Sequence, residues 1–229
     1  MKIACLSDLH GILPPSDFFE EDCEVLILCG DILPLITDQN ILKSREWFTN
    51  EFKIWCDSLP FEKIFFIAGN HDKFCELNRN ELENLFSPYY KTTYLHNSGI
   101  NYLSTQSGKI YRFFGSPYCS EFGNWSFMHS DEKLKELYDD IPENLDLLIT
   151  HDAPYGVSDQ VGYGGYYMRH AGNDPLREAI LEKSPTYVVH GHLHTSNHKE
   201  EILGNSKVYN TSLVDESYSP VFKPLYLYL

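Results

Sequence analysis

The chain has 229 residues, of which 42% are hydrophobic and 14% aromatic, and its formal net charge is −15. This length is sufficient for one sizeable core. No linker, low-complexity tract or fixed-period repeat divides the sequence, so a single domain over residues 1–229 is predicted. So acidic a surface repels phosphate backbones and anionic lipids, and we therefore expect neither generic nucleic-acid binding nor membrane binding.

The N-terminal segment and the cysteines both favour a cytoplasmic protein. The apolar run after Met1 is too short for a signal peptide, and no later run is long enough to span a membrane. No two of the six cysteines form a CxxC pair, and most of them lie inside apolar runs. We expect small buried thiols in a reducing compartment rather than a disulfide framework.

In chain order, short apolar strands alternate with amphipathic helices. Continuous apolar runs predict strands that are covered on both faces, at residues 2–7, 23–30, 63–69, 145–150 and 186–191. Helical spacing of apolar residues predicts helices over 40–59, 130–141 and 173–184. Strand-forming residues broken by Gly, Asn and Ser predict hairpins or meanders over 92–116 and 201–229. This order predicts an α/β fold with two mixed sheets packed face to face and helices outside.

Each of the five predicted strands ends in residues that can bind a metal. The endings are "SDLHG", "CGDIL", "GNHD", "THDAP" and "HGHLH". Because ligands gather at the carboxyl ends of strands in layered α/β sheets, we expect these side chains to meet at one edge. Carboxylates, an amide and imidazoles are the donor mix of divalent Mn, Fe, Zn, Ni or Co. Any one of these residues could equally be a turn residue, a helix cap or a core histidine, but five such coincidences are not expected.

In this order, the motifs "DLH", "GD", "GNHD", "H" and "GHLH" resemble those of the calcineurin-like metallophosphoesterase family. The resemblance runs from Asp8 to His194. The stretches "LPFEKIFFIAGNHD", "GSPYCSEFGNWSF" and "LLITHDAPYG" are similar to the small single-domain subgroup that includes the metallophosphoesterase-domain-containing proteins. The resemblance implies a four-layer α-β-β-α sandwich, no cap domain and a fairly open site.

The resemblance also implies roles for the residues at the strand ends. It implies two divalent ions bridged by Asp31, a first site completed by Asp8, His10 and His194, and a second completed by Asn70, His151 and His192. His71 would be the catalytic general acid, while a hydroxide shared by the two ions attacks phosphorus. Manganese is expected to support activity in vitro. The partner that orients His71 stays open, and Asp72 is expected to be structural.

The segment 155–175 is rich in Gly and Tyr and lies between two ligand-bearing strands. We expect it to line the substrate pocket, with tyrosines stacking on a ring and Arg169 and His170 contacting the substrate beside Asn70. A surface loop whose aromatic residues pack locally is the alternative. Trp125 is expected to pack in the core.

The strand-end residues and the resemblance together predict a metal-dependent phosphoesterase, a hydrolase that acts on phosphoric ester bonds. The resemblance to the small subgroup implies a small phosphodiester as the favoured substrate, in a class that includes nucleotides and cyclic nucleotides. A phosphomonoesterase with the same site and a weakly catalytic metal-binding scaffold are the alternatives. The oligomeric state stays open.

Overall fold

Two mixed sheets and their flanking helices form the structure, a computed structural model that describes residues 1–87, 90–163, 167–195 and 198–229. The strands are β1 Lys2–Leu6, β2 Val25–Cys29, β3 Lys63–Ile67, β4 Thr92–Tyr94, β5 Ser98–Leu103, β6 Ile110–Ser116, β7 Cys119–Ser120, β8 Met128–His129, β9 Leu147–Thr150, β10 Gln160–Tyr163, β11 Tyr167–His170, β12 Tyr187–His190, β13 Glu201–Leu203, β14 Ser206–Asn210 and β15 Leu225–Tyr228. The α-helices are α1 Ile41–Trp47, α2 Lys53–Ser58, α3 Lys73–Leu77, α4 Arg79–Leu85, α5 Asp131–Tyr138 and α6 Asp174–Lys183.

Both sheets are parallel at their centres, and antiparallel strands lie at one edge of the first sheet and at both edges of the second. The first has the order β15-β1-β2-β3-β4, in which only β15 is antiparallel to its neighbour. The second has the order β13-β14-β12-β9-β6-β5, in which β13 and β5 are antiparallel. The central strands are apolar along their length because both faces of each sheet are covered.

The layers follow from the alternation of side chains along each strand. In β2, Ile27 packs into the core between the two sheets, whereas Leu28 packs against the helices α1–α4. In β9, Ile149 lies in the same inter-sheet core, whereas Leu148 packs against α5 and α6. The order helix, sheet, sheet, helix confirms the predicted four-layer sandwich.

All five predicted apolar strands are present, but the predicted segment 92–116 divides between the sheets. The strand β4 pairs with β3 in the first sheet, while β5 and β6 form a hairpin in the second. The predicted helix over 40–59 is interrupted by a π-helical turn, Phe48–Phe52, that turns both phenylalanines into the core. The helices α3 and α4 were not predicted, because each is too short to show a helical period.

Two further expectations concern the cysteines and the membrane. All six cysteines are buried free thiols, as their apolar surroundings predict. Among the described residues, no helix has both the length and the apolar composition that crossing a bilayer requires.

Candidate metal centre

Strand ends from both sheets deliver the predicted ligands to one place. β1, β2 and β3 of the first sheet end before Asp8, Asp31 and Asn70, and β9 and β12 of the second end before His151 and His192. The sequence predicted one edge of a sheet. The structure instead joins the carboxyl edges of two sheets, which meet because the sheets pack face to face.

Four of the predicted ligands have a positive φ angle, which non-glycine residues seldom adopt. The φ angles are 54° at Asp8, 43° at His10, 51° at Asp31 and 68° at His192. Backbone hydrogen bonds hold the first two, since Asp8 N–H donates to the Gly30 carbonyl at 3.0 Å and His10 N–H to the Asp31 carbonyl at 2.9 Å. Such strain is typical of functional sites that the surrounding fold over-determines.

Glycine is required where the backbone passes the two carboxylates. A Cβ on Gly69 would lie 2.3 Å from Asp31 Oδ1. A Cβ on Gly191 would lie 1.8 Å from Ser7 Oγ and 2.6 Å from Asp8 Oδ2. The main chain therefore packs directly against the candidate ligands, and side chains at these positions would displace them.

The first cluster of donors contains Asp8, His10 and His194. The Nε2 atoms of His10 and His194 are 3.4 Å apart, and His194 Nε2 is 3.5 Å from Asp8 Oδ1. His10 Nε2 also lies 3.7 Å from Asp31 Oδ2. Burial lowers the pKa of His10 to about 4, despite the nearby carboxylates. The neutral imidazole is therefore the favoured form of His10, and its Nε2 faces His194 Nε2 and Asp31 Oδ2.

The second cluster is built around His151, which is fully buried. Its Nδ1 donates to the Cys29 carbonyl at 2.8 Å, so its Nε2 faces Asn70 Oδ1 at 3.0 Å and Asp31 Oδ1 at 3.4 Å. The ring of His192 lies 5.1 Å from that of His151. Burial opposes a charge on His151, but Asp31 outweighs burial and raises the His151 pKa to about 10. A cation is thus favoured between Nε2 and these oxygens.

This donor set fits divalent metal ions. Ligand atoms of Asp8, His10 and His194, and those of Asp8, Asp31 and His151, lie within 4.8 Å of one another. Asp31 directs one oxygen at each cluster. Two carboxylates buried together are unfavourable unless positive charge lies between them, and their oxygens and imidazoles are donors for borderline divalent ions.

His71 lies beside the two clusters and has a carboxylate partner. Its Nδ1 is 2.8 Å from Asp38 Oδ2, and its backbone N–H donates to Asp31 Oδ1 at 2.8 Å. Asp72 points elsewhere. Its carboxylate is fully buried and accepts backbone N–H groups of Gly69, Ile32 and Leu33. Asp72 is therefore structural, as expected, and the open question of the His71 partner is answered by Asp38.

A cavity of about 690 Å³ opens over the site. Three aromatic side chains line it and each contacts a histidine: Trp125 lies 4.4 Å from the His71 ring, Phe122 5.3 Å from His192, and Tyr218 4.9 Å from His194. Trp125 is 40% exposed, so the expectation of core packing was wrong. Its polar loop between β7 and β8 places the indole on His71 instead of in the interior.

The segment 155–175 contributes only part of what was expected to this cavity. Arg169 lines it, whereas His170 lines a second cavity and pairs with Asp159 at 2.6 Å. Adjacent residues of a strand point to opposite faces, so Arg169 and His170 cannot both face the donor clusters. Residues 164–166 and the side chains of Tyr163 and Tyr167 lie outside the described part of the chain, and with them most of the predicted stacking tyrosines.

The comparison with protein families agrees with this geometry. The family described as calcineurin-like phosphoesterase matches residues 1–196, which contain every candidate ligand. The chain belongs to the calcineurin-like phosphoesterase family. It is therefore a metal-dependent phosphoesterase, a class of hydrolase.

Relatives of this phosphoesterase include the human metallophosphoesterase domain-containing protein 1, 28% identical over 246 residues that cover 98% of this chain and 69% of the relative. A protein of Emericella nidulans named "Probable rhamnogalacturonate lyase C" is 28% identical over 207 residues, 88% of this chain. This chain spans only 18% of that relative's length, so its name carries no argument here. The solved structure of TT1561 of Thermus thermophilus has a TM-score of 0.60 and 19% identity, with 93% of this chain and 89% of that chain covered. That likeness shows the fold alone.

Sequence reasoning missed three residues at the phosphoesterase site: Asp38, Phe122 and Tyr218. Asp38 is seven positions after Asp31 in a loop without periodic pattern, and its only signal is a carboxylate near a ligand-bearing strand end. Phe122 and Tyr218 lie in loops far from the ligand motifs in sequence. Their role becomes visible only when the fold brings these loops to the same mouth.

Proposed function

We propose that this phosphoesterase hydrolyses small phosphodiesters of the nucleotide type, a class that includes cyclic nucleotides. The observation that carries the proposal is the convergence of two donor clusters, which share Asp31, beside the His71–Asp38 pair. A phosphoester needs fixed positive charge at its oxygens and a proton for its leaving group. The clusters and the imidazole are placed to supply these two needs.

The first ion would be held by Asp8, His10 and His194, the second by Asn70, His151 and His192, and both by Asp31. Such ions lower the pKa of a water molecule and polarise phosphoryl oxygens. Binding must displace the proton of His151, since ligands bind metals in their deprotonated form. Manganese is our choice for assays, because the same donors accept several borderline ions.

His71 would hold and deliver the proton. Asp38 accepts the Nδ1–H of His71, which leaves Nε2 as the atom that can donate to a leaving alkoxide. The carboxylate fixes the tautomer and the ring orientation, and Trp125 packs on the ring and restricts its movement. Asp38 is thus a positioning residue and His71 the catalytic acid.

The charge around the cavity favours diesters. Among its described lining residues Arg169 is the only arginine or lysine, and Glu216 lies at the same mouth. A phosphodiester carries one negative charge, whereas a monoester carries nearly two at neutral pH, so a lining whose side chains add little positive charge to that of the two ions favours the diester. The net charge of −15 further opposes long polyanions.

The aromatic lining favours a substrate with a flat ring. Phe122, Trp125 and Tyr218 expose between 40% and 59% of their surface at the mouth. Partly exposed aromatic faces gain from stacking on a base, whereas a polyol would leave them unpaired. The reducing compartment that six free thiols indicate supports a cytoplasmic location and intracellular substrates.

The test is a paired assay on metal-stripped protein that is resupplied with Mn, Ni, Zn or Mg. It compares bis(4-nitrophenyl) phosphate with 4-nitrophenyl phosphate, in the wild type, His71→Ala and Asp31→Asn. We expect metal-dependent diester hydrolysis and no activity in Asp31→Asn. In His71→Ala we expect a small loss with bis(4-nitrophenyl) phosphate, whose leaving group needs no proton, and a loss of about 10²–10⁴-fold with a diester that has an alkyl leaving group. His129→Ala, which changes a histidine outside the site, is the control and should behave as the wild type.

A preference for the monoester would keep the mechanism and replace the substrate class. No turnover with any metal, in protein that still binds metal ions, would contradict the enzyme assignment and favour the scaffold.

A further inference from the structure

A second cavity, of about 460 Å³, lies next to the cavity over the two donor clusters, and Thr195 lines both cavities. The two-stranded ribbon β10–β11 separates them. Val161 and Arg169, which are opposite in register, line the metal-site cavity. Gln160 and His170, the next pair in register, line the second cavity. The two faces of one ribbon therefore belong to two different cavities.

One carboxylate holds both legs of this ribbon. Asp159, which is fully buried, accepts the backbone N–H of Gly156 at 2.8 Å and of Gly172 at 3.0 Å with its Oδ2. Its Oδ1 is 2.6 Å from His170 Nδ1. Gly156 precedes β10 and Gly172 follows β11, so Asp159 fixes the base of the ribbon from both sides. Because a carboxylate only accepts, the proton lies on His170 Nδ1.

A further attachment joins the ribbon to the metal-binding segment. Thr195 Oγ1 donates to the Gln160 carbonyl at 2.8 Å, and Thr195 directly follows the candidate ligand His194. Both legs of the ribbon are thus fastened at its base, and Arg169 lies one register pair further along, opposite Val161. A displacement of the base would move the guanidinium relative to the metal clusters.

We propose that the Asp159–His170 pair is a positioning device for Arg169, which it holds over the metal-site cavity from the opposite face of the ribbon. This inference rests on the proposed function, because that function assigns a phosphate oxygen to Arg169. A guanidinium pairs with phosphate through two parallel hydrogen bonds, and misplacement by about 1 Å is enough to weaken such an arrangement strongly. His170 itself contacts no substrate.

The experiment uses the manganese-loaded protein and a double-mutant cycle of His170→Ala and Arg169→Met. Each single variant should raise KM for the diester about tenfold, with kcat changed by less than about twofold, because the interaction is lost equally in ground and transition states. The double variant should resemble Arg169→Met alone, since His170 acts only through Arg169. His170→Asn, whose amide can still donate to Asp159, should restore most of the wild-type KM.

Gln160→Ala is the matched control, because it truncates a side chain on the same face of the same ribbon and leaves Asp159 its donors. It should retain the wild-type KM. Hydrogen exchange provides a readout of position: the amides of Gly156 and Gly172 should exchange faster in His170→Ala and at the wild-type rate in Gln160→Ala. A wild-type KM in His170→Ala, or independent and multiplying effects in the double variant, would overturn the proposal.

Binding of inorganic phosphate, measured by calorimetry, separates this inference from the proposed function. A wild type that binds phosphate but hydrolyses no ester contradicts the proposed function. In that case, equal weakening of phosphate binding in His170→Ala and Arg169→Met would still support the positioning role. A wild type that hydrolyses the diester while His170→Ala binds phosphate equally well refutes the positioning role alone. A wild type that does neither contradicts both.

Discussion

The imidazole of His71 is held from two sides, by the Asp38 carboxylate at its Nδ1 and by the Trp125 indole on its face. Asp38 is itself fixed, since its backbone N–H donates to the Pro34 carbonyl at 3.0 Å and its side chain is nearly buried. At the scale of single residues, the site is thus a set of oriented groups whose supports come from loops.

Replacement of Asp38 by Asn should reduce kcat by about tenfold to a hundredfold, part of what general acid catalysis supplies, because the negative charge facing the imidazolium is removed. The reduction should be large for a diester with an alkyl leaving group and small for 4-nitrophenolate, which leaves without a proton. Steady-state kinetics with both substrates measure the difference. Asp57→Asn, a surface carboxylate, is the control, and equal losses with both leaving groups would contradict the positioning role.

The candidate ligands could be picked out from the sequence, whereas the residues that support them could not. Each candidate ligand lies at the end of a continuous apolar run, which is a local pattern. Asp38, Phe122 and Tyr218 lie in loops whose course depends on packing between distant segments. No spacing in the sequence therefore predicts that they lie at the site. The position of His170 could not be predicted for the same reason. Tertiary structure decides which cavity each face of the ribbon lines.

At the scale of elements, a buried carboxylate joins the two sheets at the edge away from the donor clusters. Glu24, just before β2, accepts the hydroxyls of Tyr102 at 2.8 Å and Ser104 at 2.6 Å and the backbone N–H groups of Thr105 and Gln106. These donors belong to the β5–β6 hairpin of the second sheet. The strands could be predicted from the composition of the chain, but this hydrogen-bonded contact between the sheets could not.

Glu24→Gln should lower the free energy of unfolding by about 1–3 kcal/mol, because two acceptor oxygens become one and the charge is lost. Burial would raise the pKa of Glu24, but the hydrogen bonds from Ser104 and Tyr102 outweigh it and lower the pKa. A carboxyl group whose folded pKa is lowered stabilises the fold above its unfolded pKa, and this contribution disappears as pH falls through the folded pKa.

Urea unfolding of metal-free protein between pH 7 and pH 3 tests this expectation. The free energy of unfolding should fall less steeply with acidification in Glu24→Gln than in the wild type. Glu136→Gln on the exposed face of α5 is the control. Parallel pH curves for the wild type and Glu24→Gln would show that Glu24 contributes no linkage.

At the scale of the whole molecule, the candidate ligands extend from residue 8 to residue 194 and come from both sheets. Bound ions would therefore connect segments that are distant in the chain. Without them, the Asp8 and Asp31 carboxylates repel each other in a buried place. Ions that bind only the folded chain stabilise it by about 4 kcal/mol at a thousandfold excess over Kd.

Chelation should accordingly lower Tm by roughly 10 °C, since about 1 kcal/mol corresponds to about 2–4 °C in a chain of this size. Scanning calorimetry with a chelator, and again after resupply of manganese, measures the shift. The Asp31→Asn variant should show little response to either treatment. A Tm that chelator leaves unchanged in the wild type would contradict a metal centre that connects the sheets.

The left-handed backbone at Asp8, His10, Asp31 and His192 has a consequence for how such a chain is selected. Each strained residue costs about 1–3 kcal/mol, a large part of the 5–15 kcal/mol by which proteins of this kind are stable. Selection for folding alone would replace these residues by glycine. A chain that has all four instead carries backbone strain at its active centre, which the packing of the two sheets must offset.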